Sequence, residues 1–239
     1  DINYEVCNYY DMIGHMSYHG MPSHYPHWSF GKSFERTHQM YNLGAEGLPY
    51  ELIINSDPSI AYLMRENPAY LQILIMAHCV GHSDFFKNNR IFKNTRPESV
   101  NSRFRSARKR IQDYIENPHI GLKKVENFID AIHSIKFQTE RHERKRISTK
   151  KKLEDKIRIL NSNAKTGKVA EKDITKIIID SRKDSDLLSF LIESNDKFED
   201  WQTDIMSIVR DESHYFIPQI KTKILNEGWA SFWHYNIMK

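Results

Sequence analysis

The chain has 239 residues, 12% of them aromatic, and is long enough to bury a substantial core as one folded unit or as two that share an interface. Its 35 Lys and Arg against 31 Asp and Glu give a formal net charge of +4, which argues against a nucleic-acid-binding protein. Cys7 and Cys79 are too few for a disulfide framework. There is no signal peptide and no apolar run that approaches the length of a membrane span, so we expect a protein of the reducing cytoplasm.

Three regions follow one another along the sequence. Residues 1–96 are rich in Tyr, His, Met and Phe, residues 97–168 are strongly charged, and residues 169–239 are again apolar. In the first region, Gly and Pro among aromatic residues predict an ordered loop system over 14–34. The β-branched and aromatic run over 50–55 predicts a strand.

Helices are predicted for most of the remaining sequence. Pro58 and Pro68 bracket a short helix over 59–66, and the run over 69–82 is apolar on almost every side, as expected of a buried helix. Proline positions and apolar spacing predict five further helices, over 97–116, 121–140, 186–193, 201–210 and 217–235. The expected fold is therefore mainly α, of the α+β kind, with a small β-sheet element.

The charged region contains a basic segment, residues 141–152, and a polar stretch, residues 161–168. A mobile linker with a solvated face is the ordinary interpretation of such a composition. The alternative is a regulatory binding module whose basic segment docks an acidic partner or an anionic surface. Such binding would weaken at high salt, because exposed charges are screened over about 10 Å at 0.1 M.

His78 and His82 give the first indication of chemistry. They lie four residues apart on the predicted buried helix, so both imidazoles share one face and could bind a single metal ion, with Glu227 as a third ligand. A lone histidine on a buried helix is more often a hydrogen-bonded core residue. Two imidazoles on an otherwise apolar helix are costly to bury, however, so each needs a partner.

Four segments of the chain are long and rare in combination. They begin at His27, Glu51, His78 and Asn226 and read HWSFGK, ELIINS, HCVGHSDFFKNN and NEGWASFWH. These segments resemble the stage V sporulation protein R (SpoVR) family, and the chain is identified as a member. The resemblance implies a role in sporulation, in building the spore cortex, the peptidoglycan layer of the endospore. Family members usually continue past the Glu-Gly-Trp segment, so we expect the N-terminal and central portion of a longer protein, or a shortened member.

The family resemblance also implies partners. In bacteria that do not form spores, the gene tends to travel with a serine protein kinase of the PrkA type and with a von Willebrand-like partner protein. A stress or sporulation complex with such partners is the expectation that follows.

A more distant resemblance links the same residues to zinc chemistry. In gluzincin metallopeptidases, a His-Glu-x-x-His helix supplies two zinc ligands and a later Asn-Glu-Gly-aromatic-Ala helix supplies the third, and His78, His82 and Glu227 match these positions. The resemblance implies a zincin-like helical core, one divalent metal and an edge strand over 50–55 that pairs with an extended peptide. The general-base glutamate is replaced by Cys79, which leaves open a hydrolase with an unusual base or a metal-stabilised scaffold without catalysis.

Cys79 and His27 are the catalytic candidates. A metal would favour the Cys79 thiolate as a base or a ligand, although a free cysteine is more often simply packed. His27 is the preferred member of a histidine group with His15, His19 and His24. This group could approach the metal helix, or could only hydrogen-bond within an ordered loop.

Three further polar residues are weighed by position. Glu212 lies about 22 Å from Glu227 along a continuous helix, which argues against a shared site unless the helix breaks at Pro218. His234 is displaced by about 10 Å from Glu227 along the same face, too far for the same ion. Asp84 is expected to orient one of the paired histidines.

Overall fold

The computed structural model describes residues 1–45, 47, 49–138, 187–194 and 197–239. Two compact units are present, one of Asp1–Asp130 with Asp211–Lys239 and one of Ala131–Arg210. The basic segment predicted at 141–152 and the polar stretch at 161–168 lie outside the described residues. Within the described part of the chain, every helix is too short or too polar to cross a membrane.

The described residues form mainly helices with one small sheet. In chain order the elements are β1 (Ile2–Cys7), α1 (Tyr9–Ser17), α2 (Trp28–Asn42), β2 (Glu51–Ile54), β3 (Ser59–Met64), α3 (Ala69–Asn88), α4 (Val100–Glu116), α5 (Gly121–Ile135), α6 (Leu187–Ser194) and α7 (Asp200–Met238). Two 3-10 turns, Arg90–Thr95 and Pro97–Ser99, precede α4. The prediction of a mainly helical α+β fold is confirmed.

The sheet has the strand order β1–β3–β2, with β3 parallel to β1 and antiparallel to β2. Side chains of a strand alternate between its two faces. Ala61 and Leu63 of β3 therefore pack on Cys79 of α3, whereas Tyr62 and Met64 lie in a core on the opposite face. Both faces of the central strand are buried, and α3 covers one of them.

The helix predicted at 59–66 is wrong, because Ser59–Met64 form β3 and the next two residues form a turn. A continuous apolar run fits a strand buried on both faces as well as a buried helix, and here the neighbouring strands decide between them. No strand was predicted at β1. Ile2 and Tyr4 lie two residues apart, on one face of this strand, and both pack on the α3 side of the sheet. The strand predicted at 50–55 is confirmed as β2.

The loop system predicted at 14–34 is wrong at both ends. α1 extends to Ser17 and α2 begins at Trp28, so only the residues between them are irregular. The His27 imidazole caps α2 by accepting a hydrogen bond from the Ser29 backbone N–H at 3.3 Å. Ser, Thr, Asp or Asn usually fills this position, so the sequence carried no ordinary signal for the start of α2.

α7 is one helix of 39 residues, although two helices were predicted over its length. Pro218 lacks a backbone N–H and was expected to allow a break, yet the helix continues through it. The Thr222 hydroxyl donates to the Pro218 carbonyl at 2.7 Å. The helices predicted at 97–116 and 186–193 are confirmed as α4 and α6, and the one at 121–140 is confirmed as far as Ile135.

The described part of the second unit comprises the end of α5, α6 and the start of α7. The backbone N–H of Leu187 donates to the Gln138 carbonyl at 3.0 Å. The buried apolar side chains of this unit include Ile132, Leu188, Ile205, Met206 and Val209.

Candidate metal centre

Helices α3 and α7 meet at a glycine. A Cβ atom added to Gly81 would lie 2.6 Å from the Cα atom of Ala230 and 3.1 Å from its carbonyl oxygen. Such separations are shorter than a carbon contact allows, so this approach of the two backbones requires glycine. Because Gly81 precedes His82 and Ala230 lies three residues after Glu227, the contact brings these two side chains together.

The structure brings His78, His82 and Glu227 to one point. Oε2 of Glu227 lies 3.6 Å from Nε2 of His78 and 3.7 Å from Nε2 of His82. The two imidazole rings are 4.6 Å apart between centroids and nearly perpendicular, at 83°. Both histidines thus present the same nitrogen to the same carboxylate oxygen.

A fourth residue, Glu51, reaches this point from β2. Its Oε1 lies 3.6 Å from Nε2 of His78 and 4.0 Å from Nε2 of His82. Glu51, His78 and His82 form a group whose ligand atoms all lie within 4.8 Å of one another. The sequence predicted the strand that carries Glu51 but assigned no role to this residue. The feature that could have indicated a role is a carboxylate at the start of an otherwise apolar strand.

The residues present fit a divalent metal. Zinc bonds of about 2.0–2.2 Å to nitrogen and oxygen place neighbouring ligand atoms about 3.3–3.6 Å apart around a tetrahedron. The four separations between imidazole nitrogen and carboxylate oxygen, 3.6 to 4.0 Å, lie at the upper limit of this range or slightly above it. Imidazole with carboxylate suits zinc and similar divalent ions.

His82 is oriented by Asn226 of α7. Its Nδ1 lies 2.9 Å from the Asn226 side-chain oxygen, and donation from Nδ1 leaves Nε2 with a free lone pair. The expected orienting residue, Asp84, has other partners: it accepts hydrogen bonds from Trp229 at 2.9 Å and from Asn88 at 2.8 Å. The Asp84–Trp229 bond ties α3 to α7 instead.

Cys79 lies on the sheet-facing side of α3 and is fully buried, with 0% of its surface exposed. Its thiol donates to Oε2 of Glu51 at 3.5 Å. Burial raises the pKa of this thiol, and the Glu51 carboxylate raises it further. A neutral thiol is a hydrogen-bond donor and not a base, so in the metal-free structure the Cys79 thiol has the geometry of a donor to Glu51.

The two groups of the centre with shifted pKa values favour uncharged forms. Burial raises the pKa of Glu51 to about 7, opposed by the Cys79 hydrogen bond and reinforced by Glu227. Burial also lowers the pKa of His78, reinforced by His82 and opposed by Glu227. A divalent cation would reverse this balance at Glu51, because metal ligands bind in their deprotonated forms.

His234 lies closer to the pair than predicted. Its ring centroid is 5.7 Å from that of His78. The predicted displacement of about 10 Å separates His234 from Glu227 along α7. His78 lies on α3, one turn before His82, so that displacement does not fix its distance from His234. The structure therefore adds a third imidazole beside His78.

Three of the four histidines of the aromatic region, His19, His24 and His27, pack on Phe30, but each of the four also has a different partner. His15 stacks on Tyr62 at 3.9 Å, His19 packs edge-on against Phe216 at 5.4 Å, Nε2 of His24 lies 3.3 Å from Oε1 of Glu212, and Nε2 of His27 lies 3.3 Å from Oδ1 of Asp130. The structure thus pairs His27, the preferred catalytic histidine, with an aspartate of α5.

Glu212 belongs to a second buried polar group. The Tyr25 hydroxyl donates to Oε2 of Glu212 at 2.9 Å, and His24 lies beside the other oxygen. Because α7 is continuous, Glu212 is about 22 Å from Glu227 along the helix axis. The two polar groups are therefore distinct.

A protein-family model described as SpoVR like protein matches residues 1–239. The chain belongs to the SpoVR family. This membership confirms the prediction from the four segments and associates the chain with sporulation proteins. The SpoVR-family chain is 39% identical over 248 residues to the uncharacterized protein YcgB of Escherichia coli (strain K12), in a match that covers 98% of this chain and 48% of YcgB. The chain thus spans about half the length of this curated relative.

The search of solved structures found no match to the SpoVR-family chain. The likeness to gluzincin metallopeptidases therefore stays a prediction from the motifs.

Proposed function

We propose that this chain binds one divalent metal, zinc, through His78, His82 and Glu227, and that it acts as a metal-dependent hydrolase in the cytoplasm during formation of the spore cortex. The observation that carries the proposal is the convergence of both Nε2 atoms on one Glu227 oxygen, at 3.6 and 3.7 Å. Zinc bound there would supply a Lewis acid and a water of lowered pKa. The zincin-like pattern of ligands supports the same assignment.

The substrate class that fits the centre is an extended peptide. β2 lies at an edge of the described three-stranded sheet, and its first residue, Glu51, reaches the centre. A peptide that adds a strand at such an edge is held by main-chain hydrogen bonds. Its scissile bond would then run close to His78 and His82.

A non-catalytic scaffold is the second candidate, and Cys79 favours it. At the position of the usual general base, the chain has a fully buried thiol whose pKa is raised. In this alternative the metal stabilises a regulatory protein that binds a PrkA-type serine protein kinase or a von Willebrand-like partner in a stress or sporulation complex, as the family resemblance implies.

Elemental analysis of protein purified without chelator tests the metal. We expect about one equivalent in the wild type, loss of metal in His78→Ala, and retention in His119→Ala, a matched control at an exposed histidine. Less than about a tenth of an equivalent in the wild type, unchanged in His78→Ala, would contradict metal binding.

Hydrolysis of a peptide library by the zinc-loaded protein separates the two functions. Cleavage that disappears in His78→Ala supports the hydrolase. Bound metal without cleavage supports the scaffold, and binding of the kinase or the von Willebrand-like protein by the same preparation would then strengthen it.

A further inference from the structure

We propose that Glu51 is itself a metal ligand and that Cys79 holds its carboxylate in position. The inference deepens the proposed metal binding at His78 and His82 and depends on it. It changes the centre from two histidines and one carboxylate to two histidines and two carboxylates.

The distances place Glu51 where a ligand belongs. Its Oε1 lies 3.6 and 4.0 Å from the two histidine nitrogens, against 3.6 and 3.7 Å for Oε2 of Glu227. An ion bound by both imidazoles is therefore within reach of either carboxylate. A carboxylate that acted only through a water would stand farther from the histidines than a direct ligand does.

Glu51 is held more firmly than Glu227. Its side chain is 19% exposed, whereas that of Glu227 is 56% exposed. The residue belongs to a strand paired with β3, and the Cys79 thiol binds Oε2, which leaves Oε1 facing the histidines. A fixed carboxylate with one oxygen engaged and the other aimed at two imidazoles is the arrangement expected of a positioned ligand.

The buried carboxylate also needs a counter-charge. A carboxylate in an apolar setting is costly unless it is paired, and a thiol is only a weak donor. The apolar side chains Ala61, Leu63 and Ile75 pack around Cys79 on the same side of the sheet. A divalent cation between Glu51 and the histidines would supply such a positive charge and leave both imidazoles neutral.

The ligand set has a consequence for chemistry. Four protein ligands close a tetrahedral site, whereas a catalytic zinc keeps one position for water. A hydrolytic form of this centre would need one carboxylate to leave the metal. Glu227 is the one able to do so, because Glu51 is fixed by Cys79 and by the sheet.

Cobalt titration of the chelator-treated full chain tests the proposal, because Co²⁺ reports its coordination through its visible spectrum. We expect Glu51→Gln to weaken Co²⁺ binding at least about 10-fold and to change the spectrum, as Glu227→Gln also should. Glu35→Gln, at an exposed glutamate of α2, should bind like the wild type. If Glu51→Gln does not fold, Glu51→Asp retracts the same carboxylate by one methylene and should weaken binding as well.

The role of Cys79 is tested by two substitutions. Cys79→Ala removes the donor to Glu51 and should weaken Co²⁺ binding about 10-fold, whereas Cys79→Ser keeps a donor and should restore most of it. A thiolate-to-cobalt charge-transfer band in the wild type would overturn this part, because it would make Cys79 a ligand.

The outcomes separate this proposal from the metal site itself. Absence of Co²⁺ binding by the wild type would contradict both the proposed metal site and the role of Glu51 in it. A wild type that binds Co²⁺, with affinity and spectrum unchanged in both Glu51 variants, leaves the site of His78 and His82 standing and overturns the role of Glu51.

Discussion

Replacing Gly81 by alanine tests how α3 and α7 assemble the centre. The added Cβ would lie 2.6 Å from the Cα atom of Ala230, whereas carbon atoms in contact stand about 3.5–4.0 Å apart. The obstacle is backbone, so no change of side-chain conformation relieves it. The two helices must therefore separate by about 1 Å.

Two opposing effects set the size of the change in stability. Overpacking a close contact costs about 1–3 kcal/mol, and a clash against backbone belongs near the upper end. Replacing glycine by alanine inside a helix returns up to about 1 kcal/mol. We therefore expect Gly81→Ala to lower the free energy of unfolding by about 2 kcal/mol.

The same separation would disturb the ligands. Moving α7 by about 1 Å would lengthen the contact between Glu227 and His78 from 3.6 Å to about 4.6 Å, beyond the spacing of two ligands on one ion. Metal affinity should then fall at least about 10-fold. Urea unfolding of the metal-free protein and a zinc competition titration measure the two effects.

Gly228→Ala is the matched control. Gly228 lies in α7 beside Glu227, and a Cβ added there meets nothing within 4 Å. This substitution should raise the free energy of unfolding by up to about 1 kcal/mol and leave metal affinity unchanged. If Gly81→Ala behaved like Gly228→Ala in both assays, the close contact of the two helices would be refuted.

Three further predictions concern single side chains. Burial raises the pKa of Glu51 to about 7 from its ordinary 4.5, so the metal-free folded protein binds more protons than the unfolded chain between these values and Glu51 costs stability as the pH rises. Glu51→Gln should therefore be more stable than the wild type above pH 7 and equally stable below pH 4.5 in urea unfolding at a series of pH values, and a difference independent of pH would contradict this. Asn226→Ala removes the partner of His82 Nδ1 and should weaken zinc binding about 10- to 100-fold in a competition titration; an unchanged affinity would exclude the orienting role. Tyr25→Phe removes a donor to the buried Glu212 and should lower the free energy of unfolding by about 1.5–3 kcal/mol without changing metal affinity, whereas a change below about 0.5 kcal/mol would contradict the importance of that bond.

The histidine pair was accessible from the sequence because it depends on local geometry alone. Residues four apart on any helix share a face, so His78 and His82 required only that α3 be a helix. Glu227 was placed by its motif. The structure adds the reason these distant residues meet, which is the contact of Gly81 with Ala230.

Glu51 was missed because its place depends on strand register. In the sheet it stands opposite Leu63, and paired residues project from the same face. Leu63 packs on α3, so Glu51 also faces α3. This inference requires β3, whereas the run 59–66 was predicted as a helix from the prolines that bracket it, and an apolar stretch buried on both faces has no period that distinguishes a strand from a helix.

Packing between residues distant in sequence also determines the partner of His82 and the length of α7, which the sequence did not predict. Nothing local to Asn226 or Asp84 shows which of them would face His82, because that depends on the rotation of α7 against α3. The low helix propensity of proline likewise predicts a break at Pro218, whereas α7 continues through this residue.

Calorimetric titration of the chelator-treated chain with Zn²⁺ tests the central claim most directly. The account predicts one site per chain in the wild type and loss of that site in His78→Ala and in His82→Ala, with His119→Ala unaffected. Absence of binding in the wild type, or an unchanged site in the variants that lack either histidine, would contradict it.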